Sequence, residues 1–344
     1  MPRRTLILIV AGAAVVIAAV VAAVLPVPYV ILSPGPTLNT LGNAPDGRPL
    51  IQIQGHRVHR VTGNLNMVTV NFQGGPGNEI NIFTALRAWL NSRDAVVPQQ
   101  EVFGTGQTEQ QVQRQDVAQM ASSQQLATAA ALRQLGIPVK TVITVVSTER
   151  GLPAAGVLKP GDVIAAVDGT RVTGLATLTG QIRARGDGRT LRLTVIRSGN
   201  LRPVTVRIAG SSQGPVIGVR VVQGYKFPFR VTIRVGNIGG PSAGLMFALG
   251  IVDKLGKMDL TGGRFIAGTG EIAPNGAVGP IGGIQQKMAG ARARGATVFL
   301  VPAGNCADAT AAAPSGLRLV KVSTLAGAVR SLEALKAGRP APSC

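Results

Sequence analysis

One short stretch decides the fold of the carboxyl-terminal segment: residues 239–250 read GGPSAGLMFALG. It follows Phe229–Val235, which has the pattern of a strand, and its glycines predict a tight turn into a buried helix. Pro241 fits the first helical position, where its missing N–H is harmless, with Gly240 as the N-cap. Ser242 would then lie inside the first turn, beside backbone N–H groups that can stabilise an oxyanion. Ser242 is therefore a candidate nucleophile.

A nucleophilic serine needs a base, and the sequence points to a lysine rather than a histidine. Both histidines, His56 and His59, lie far upstream, which disfavours a Ser-His-Asp triad. A second glycine-rich segment leads into a predicted helix over Gln285–Arg294, and Lys287 shares the apolar face of that helix. Burial there would lower the lysine pKa and let the amine accept a proton. Spacing alone leaves open a lysine whose stem packs while its amine reaches solvent.

The two segments belong to a longer pattern: Gly240-Pro241-Ser242-Ala243-Gly244, Thr269-Gly270-Glu271-Ile272, and Gly276-x-Val278-x-Pro280-Ile281-Gly282-Gly283 before Lys287. This pattern resembles the catalytic domain of Lon-type Ser-Lys peptidases over about residues 215–335. The resemblance implies an α/β proteolytic domain in which Ser242 is the nucleophile and Lys287 the general base. It also implies that the hydroxyl of Thr269 orients the lysine amine, with Gly240 supporting the site.

Residues 136–209 carry a second pattern, with strands, a helix over Leu175–Arg185 and an Asp-Gly hairpin turn at Asp168. The specific motifs are Pro153-Ala154-Ala155-Gly156, Leu158-Lys159-Pro160-Gly161-Asp162-Val163-Ile164 and Val167-Asp168-Gly169. Residues 151–169 predict a turn, a short helix, a turn, a strand and the hairpin turn. These motifs resemble a bacterial PDZ domain, a β-sandwich-like fold with two helices. Such domains bind an extended peptide as an added strand, often by its carboxyl terminus. The usual Gly-Leu-Gly-Phe loop is missing, so the ligand mode stays open.

The amino terminus predicts a membrane anchor. Residues 5–25 are apolar and uncharged, long enough to cross about 30 Å of hydrocarbon. Arg3 and Arg4 precede them, so residues 1–4 are expected to stay cytoplasmic and the bulk of the chain to lie outside a plasma membrane. A cleaved signal peptide is the alternative, but its apolar core is normally shorter, about 7–15 residues.

The region between the anchor and the PDZ-like segment, residues 40–135, predicts strands and helices. A strand over Leu65–Phe72, a helix over Ile80–Asn91 and a helix in the Gln-rich stretch Gln107–Gln134 are expected, with disorder as the alternative for the last. The first helix should bury Ile82, Leu86 and Leu90. The segment Ser33-Pro34-Gly35-Pro36-Thr37 and residues 239–250 resemble membrane-anchored PDZ–Lon peptidases of the YlbL type, and this resemblance spans nearly the whole chain. That resemblance implies that this region packs with the peptidase domain around an inserted PDZ domain.

Composition excludes several classes. The net charge is +20, with 35 Lys and Arg against 15 Asp and Glu, but the basic residues are spread without a long run, so nucleic-acid binding is not expected. The spacing of the two cysteines and two histidines fits no zinc-finger pattern, so no metal site is predicted. A phosphate-binding G-x-x-x-x-G-K-[ST] loop is missing, since Gly256-Lys257 is followed by Met258. An ATP-independent enzyme without cofactors is the expectation.

The sequence thus predicts an α+β protein: an anchor (5–25), a region that packs with the peptidase (40–135), a PDZ domain (136–209), a Lon-type domain (215–337) and a tail (338–344). Its expected activity is that of a serine endopeptidase acting on extracytoplasmic or membrane-associated polypeptides, which the PDZ domain selects by carboxyl-terminal or extended segments. A catalytically inactive PDZ scaffold of the cell envelope is the alternative. Outside the cytoplasm, Cys306 and Cys344 could form a disulfide. The oligomeric state is left open.

Overall fold

The computed structural model describes residues 2–104 and 106–344. Its helices are α1 (Arg3–Val24), α2 (Ile82–Trp89), α3 (Gln99–Val102), α4 (Glu109–Gln134), α5 (Leu175–Arg185), α6 (Gly244–Leu255), α7 (Ile284–Ala293), α8 (Cys306–Ala311) and α9 (Leu325–Lys336). Its strands are β1 (Pro26–Val27), β2 (Tyr29–Asn39), β3 (Ile51–Gln54), β4 (Asn64–Gln73), β5 (Ile80–Asn81), β6 (Ala95–Pro98), β7 (Lys140–Thr148), β8 (Val163–Val167), β9 (Thr170–Arg171), β10 (Thr190–Arg197), β11 (Asn200–Arg207), β12 (Val219–Lys226), β13 (Arg230–Ile233), β14 (Phe265–Gly268), β15 (Glu271–Ile272), β16 (Val278–Gly279), β17 (Val298–Pro302) and β18 (Arg318–Val322).

These elements form two compact units, which is an α+β architecture as predicted. The first unit comprises the chain up to Gly136 together with Phe229–Cys344, and the second comprises Ile137–Pro228. The second unit is therefore inserted into the sequence of the first.

The first unit is built on a six-stranded sheet in the order β18-β17-β14-β4-β2-β6. β18, β17, β14 and β4 are parallel, whereas β2 is antiparallel to both β4 and β6. Strands from before the inserted unit thus complete a sheet with strands from after it: Leu65 of β4 pairs with Ile266 of β14. Every residue of α6 is buried, including the charged residues Asp253 and Lys254 near its carboxyl end.

The Gln-rich stretch forms the 26-residue helix α4, so the alternative of disorder is wrong. Thr108 caps it with a capping box, in which its side chain accepts from the N–H of Gln111 and the Gln111 side chain accepts from the N–H of Thr108. Small side chains, Ala127 and Ala129–Ala131 among them, are buried near its carboxyl end, where they allow close packing.

The predicted buried face of α2 is wrong. Leu86 and Leu90 are 47% and 80% exposed, and Ala85 and Ala88 are buried instead. The two alanines pack with Ile31 and Ile80 in a small cluster of their own. Their short side chains allow the helix to lie close to the sheet, which leaves its large apolar residues outside.

The second unit contains a sheet in the order β11-β10-β8-β7-β12, with β9 paired to β8. The hairpin at Asp168-Gly169 is confirmed, with φ of 47° and 82°, the values of a primed turn. The prediction ended this segment at residue 209 and began the next at residue 215. The second compact unit extends further, to Pro228, because β12 pairs with β7 along its length.

The short helix predicted within Gly151–Gly169 is a series of turns, so α5 is the only helix in the second unit, all of whose residues the structure describes. Gly151 and Gly156 both have positive φ, which a continuous right-handed helix does not allow. The turns are held by the bond from the N–H of Ala154 to the carbonyl of Ile217.

The Lys-Pro-Gly-Asp motif of this unit ends in an ion pair whose carboxylate, that of Asp162, is buried and whose partner, Arg197, is partly exposed. Asp162 is 1% exposed and accepts from Arg197 Nε and one terminal nitrogen, each at 2.7 Å, and from the N–H of Lys159 at 2.9 Å. The hydrogen bonds from Arg197 hold the pKa of Asp162 below its usual 3.8, and burial opposes this shift without cancelling it. The stabilisation by Asp162 is therefore present above pH 3.8 and is lost as pH falls below that value.

We expect Asp162→Ala to destabilise the second unit at neutral pH, because it leaves the Arg197 guanidinium without its carboxylate. Hydrogen exchange of the β7 and β8 amides in the full chain measures this as lost protection. The exposed acid Asp187, changed to alanine, serves as the matched control and should leave protection unchanged. Equal protection in the two variants would contradict the role given to the pair.

Two further predictions concern the ends of the chain. The helix α1 has a mean hydropathy of 3.0 and no buried residue, so it is long and apolar enough to span a membrane. At the other end, Cys306 and Cys344 are joined in a disulfide, with Cα atoms 5.1 Å apart. A bridge across 38 residues stabilises by about 3–4 kcal/mol in the chain-entropy account.

Candidate active site

The first unit contains a groove of about 920 Å³ that is lined by both Ser242 and Lys287. One wall is β4, from Met67 to Phe72, and the others are the turn before α6 and the loop before α7. The two residues that the sequence singled out as candidate nucleophile and base therefore line the same cavity, although one precedes α6 and the other lies in α7.

Ser242 lies outside α6 rather than in its first turn. The helix begins at Gly244 with Ala243 as its N-cap, so the predicted start at Pro241 and the predicted cap at Gly240 are wrong. The reason is that the carbonyl of Ser242 accepts a hydrogen bond from the N–H of Gly270, a residue distant in sequence, at 2.8 Å. The backbone hydrogen bonds of α6 therefore begin one residue later, with the bond from the N–H of Phe247 to the carbonyl of Ala243.

Thr269 holds the backbone at Ser242. Its side chain is fully buried, and its hydroxyl donates to the carbonyl of Ser242 at 3.0 Å. This bond, with that of Gly270, ties the turn at Ser242 to the residues that follow β14. The contact to the lysine amine that the sequence resemblance implied stays a prediction.

Close packing explains two glycines of the GGPSAG stretch. A Cβ on Gly239 would lie 2.5 Å from the Cβ of Asp116, and one on Gly244 would lie 2.7 Å from Ile272. Gly240, with φ of +83°, adopts a left-handed conformation that favours glycine, and its N–H donates to the carbonyl of Asp116 at 3.2 Å. The turn is therefore clamped against α4 by backbone contacts.

Lys287 is buried, with 4% of its surface exposed, so the alternative in which its amine extends to solvent does not hold. It lies one turn into α7, where its N–H donates to the carbonyl of Gly283 at 3.1 Å. Burial lowers the pKa of its amine from 10.5 to about 8, and the nearby charge of Glu271 partly opposes the shift. An amine with this pKa has a substantial neutral fraction near pH 8 and can accept a proton.

Asn305 is a residue of this region that sequence reasoning missed. It is 5% exposed, and its side chain accepts from the N–H of Ile281 at 2.8 Å and donates to the carbonyl of the same residue at 2.9 Å. These paired bonds hold the loop that lines the groove just before α7. A single asparagine far along the chain carried no signal of this role, because the contact exists only after folding.

Asp116 was also missed. It is part of α4, lines the groove and has a raised pKa because burial disfavours its charged form. The residues that line the groove include three with carboxyl groups, Glu101, Asp116 and Glu271, and one lysine, Lys287. The groove is thus locally acidic in a chain whose net charge is +20.

Comparisons with known proteins identify two families in the chain. The family described as "PDZ domain" matches residues 110–208, and the family described as "Lon protease (S16) C-terminal proteolytic domain" matches residues 233–330. The second match contains Ser242, Thr269 and Lys287. A search of curated proteins finds no match.

Among solved structures, similar chains include PDZ domains of SdrC-like proteins. One, from Listeria innocua, is 23% identical, with 23% of this chain and 92% of that chain covered and a TM-score of 0.23. Another, from Listeria monocytogenes, is 24% identical, with 23% and 86% covered and a TM-score of 0.23. A solution structure of a protein from Geobacillus thermodenitrificans is 28% identical, with 22% and 85% covered and a TM-score of 0.20.

Proposed function

We propose that this chain, which combines a PDZ domain with a Lon-type proteolytic domain, is a serine endopeptidase in which Ser242 and Lys287 form the catalytic dyad. The observation that carries the proposal is the buried Lys287 amine, whose pKa is lowered to about 8, in the same groove as Ser242. Burial of a lysine amine lowers the stability of the folded protein, and buried groups with a shifted pKa in a groove are typical of functional sites.

The chemistry follows from these two groups. The neutral amine of Lys287 accepts the proton of the Ser242 hydroxyl as the oxygen attacks the scissile carbonyl carbon. Backbone N–H groups of the turn at Ser242 stabilise the oxyanion, and the bonds from Thr269 and Gly270 keep that turn in place. The lysine then gives its proton to the leaving amine. Water, deprotonated by the same lysine, releases the acyl group as a carboxylic acid and restores the serine hydroxyl.

The second unit would select polypeptides by strand addition. Within it, β12 is an edge strand of the sheet, paired only with β7. The segment Val216-Ile217-Gly218 precedes β12. Gly218 has φ of +74°, and a Cβ on Gly218 would lie 2.2 Å from the Cβ of Leu152. The N–H of Leu175, at the start of α5, donates to the side chain of Gln223 on β12. An extended peptide would pair along β12, the last strand of the sheet, beside α5.

The remaining parts of the proposal concern location and energy source. The helix α1 would anchor the chain in a plasma membrane with Arg3 and Arg4 on the cytoplasmic side and the rest outside. The sequence carries no phosphate-binding loop, which supports peptide hydrolysis that does not need ATP. The substrates would be extracytoplasmic or membrane-associated polypeptides.

The test is the pH dependence of cleavage. We expect kcat/KM for an unfolded protein substrate, measured without ATP in detergent, to rise with pH through an apparent pKa of about 8, because only the neutral Lys287 amine can accept the serine proton. The profile is measured between about pH 6 and pH 10. A rate that is flat or falls across this range, in a protein that stays folded, would rule out lysine as the base.

A further inference from the structure

The helix α2 presents an unusual apolar face to solvent. Phe83, Leu86, Trp89 and Leu90 are 49%, 47%, 72% and 80% exposed. The opposite side of the helix is fixed, because Ala85 and Ala88 are buried in the cluster with Ile31 and Ile80. The orientation of the apolar face is therefore set by the core of the unit. An exposed apolar patch of this kind on a folded element marks an interaction surface.

The position of this face relative to the anchor identifies what covers it. The helix α1 ends at Val24, and only one residue separates it from β1. β1 pairs with β5, Pro26 with Asn81 and Val27 with Ile80. The next residue after β5 begins α2, which also contacts α1. A spanning α1 therefore holds α2 within a few residues of the point where the chain leaves the bilayer.

The side chains suit the interfacial layer. Tryptophan is enriched at the boundary between hydrocarbon and water, where its apolar ring and its N–H both find partners. Phenylalanine and leucine on one side of a helix insert about 5–10 Å into the headgroup region. Arg87, on the exposed side, and Arg93, just beyond the helix, can meet anionic headgroups. The acidic groups nearby are Glu79 and Asp94, and Asp94 accepts a hydrogen bond from Asn91.

We propose that the face formed by Phe83, Leu86, Trp89 and Leu90 docks into the interfacial layer of the anionic bilayer beside α1. The inference rests on the anchoring role of α1 in the proposed function. Docking would have a consequence for the groove, because β6 follows α2 and supplies Val97 to its wall. The groove would be held close to the membrane surface, where it meets polypeptide segments that emerge from the bilayer.

The experiment uses the full chain in vesicles of phosphatidylcholine and phosphatidylglycerol. Its probe is the fluorescence of Trp89, which is the only tryptophan in the sequence. Docking predicts a blue-shifted Trp89 emission, protection from acrylamide, and quenching by lipids brominated near the headgroup end of the acyl chain. A solvent-like emission that acrylamide quenches and bromolipids do not would overturn the proposal. Protection from acrylamide without bromolipid quenching would also overturn it, in favour of a protein partner.

Matched variants separate docking from anchoring. The triple variant Phe83→Ser, Leu86→Ser, Leu90→Ser should float with vesicles as the wild type does, through α1, yet lose bromolipid quenching of Trp89. Val117→Ser removes an apolar side chain that is 63% exposed on α4 and should leave the quenching unchanged. If the wild type itself fails to float, the anchor in the proposed function is wrong; if it floats and the triple variant keeps full quenching, docking through this face is wrong.

Discussion

Replacing Ser242 with alanine should lower cleavage of an unfolded protein substrate by about four to six orders of magnitude, the loss seen when a serine peptidase loses its nucleophile. The change removes one oxygen from the groove wall. It leaves the backbone bonds of Ser242 with Thr269 and Gly270 in place, because these use the carbonyl. The free energy of unfolding should therefore stay close to that of the wild type. The measurement is kcat/KM of purified full chain in detergent, with thermal unfolding followed in parallel.

Ser323→Ala is the matched control, since Ser323 is an exposed serine of the same unit outside the groove. It should cleave at the wild-type rate. A folded Ser242→Ala protein that retains activity would remove Ser242 from the role of nucleophile. The same result would favour the alternative in which the proteolytic domain acts as a scaffold.

Lys287→Met should also abolish cleavage, with a loss of about three to five orders of magnitude, because the serine hydroxyl then loses the amine that accepts its proton. Methionine matches the apolar stem of lysine, so the helix face stays filled.

The stability of the folded protein should change in the opposite direction to its activity, because the variant should be more stable than the wild type. The pKa of Lys287 is lowered from 10.5 to about 8 in the folded protein, so the folded state binds fewer protons than the unfolded state between these values.

Because of this lowered pKa, Lys287 decreases the free energy of unfolding at pH 7. The decrease disappears as pH rises from about 8 towards 10.5. Lys287→Met should therefore be more stable than the wild type at pH 7, and the advantage should shrink at high pH. Lys254→Met is the matched control: Lys254 is also buried and its pKa is also lowered, but it lies outside the groove, bonded to the carbonyl of Ile51. When folded, it should retain cleavage. A folded Lys287→Met protein with activity would contradict the dyad.

Local sequence signals predicted many elements well. The helix over Leu175–Arg185 is α5, residue for residue, and the Asp168-Gly169 turn joins β8 and β9 as expected. Two glycine-rich segments identified the candidate nucleophile and base before any contact was known, because a strand, a glycine turn and a buried helix form a pattern within a dozen residues. The families found at residues 110–208 and 233–330 agree with those motifs.

The incorrect predictions share a cause. The start of α6 was placed at Pro241, but the helix starts at Gly244 because Gly270 and Thr269 take the carbonyl of Ser242. The buried face of α2 was assigned to its large residues, but its alanines are buried. In each case a partner distant in sequence decided the outcome, and periodicity within one segment carries no information about it.

The sequence by itself determined the order of the segments, the apolar character of α1 and the placement of Ser242 and Lys287 beside glycine-rich turns, since these depend on residues close together along the chain. Only the tertiary structure decided that β4 and β14 share one sheet, that β12 belongs with β7, and that Lys287 is desolvated in the groove of Ser242. The physical reason is that a pKa and a strand register depend on which atoms surround a group. For Lys287 those atoms include β4 and the turn at Ser242, brought together only when the chain folds.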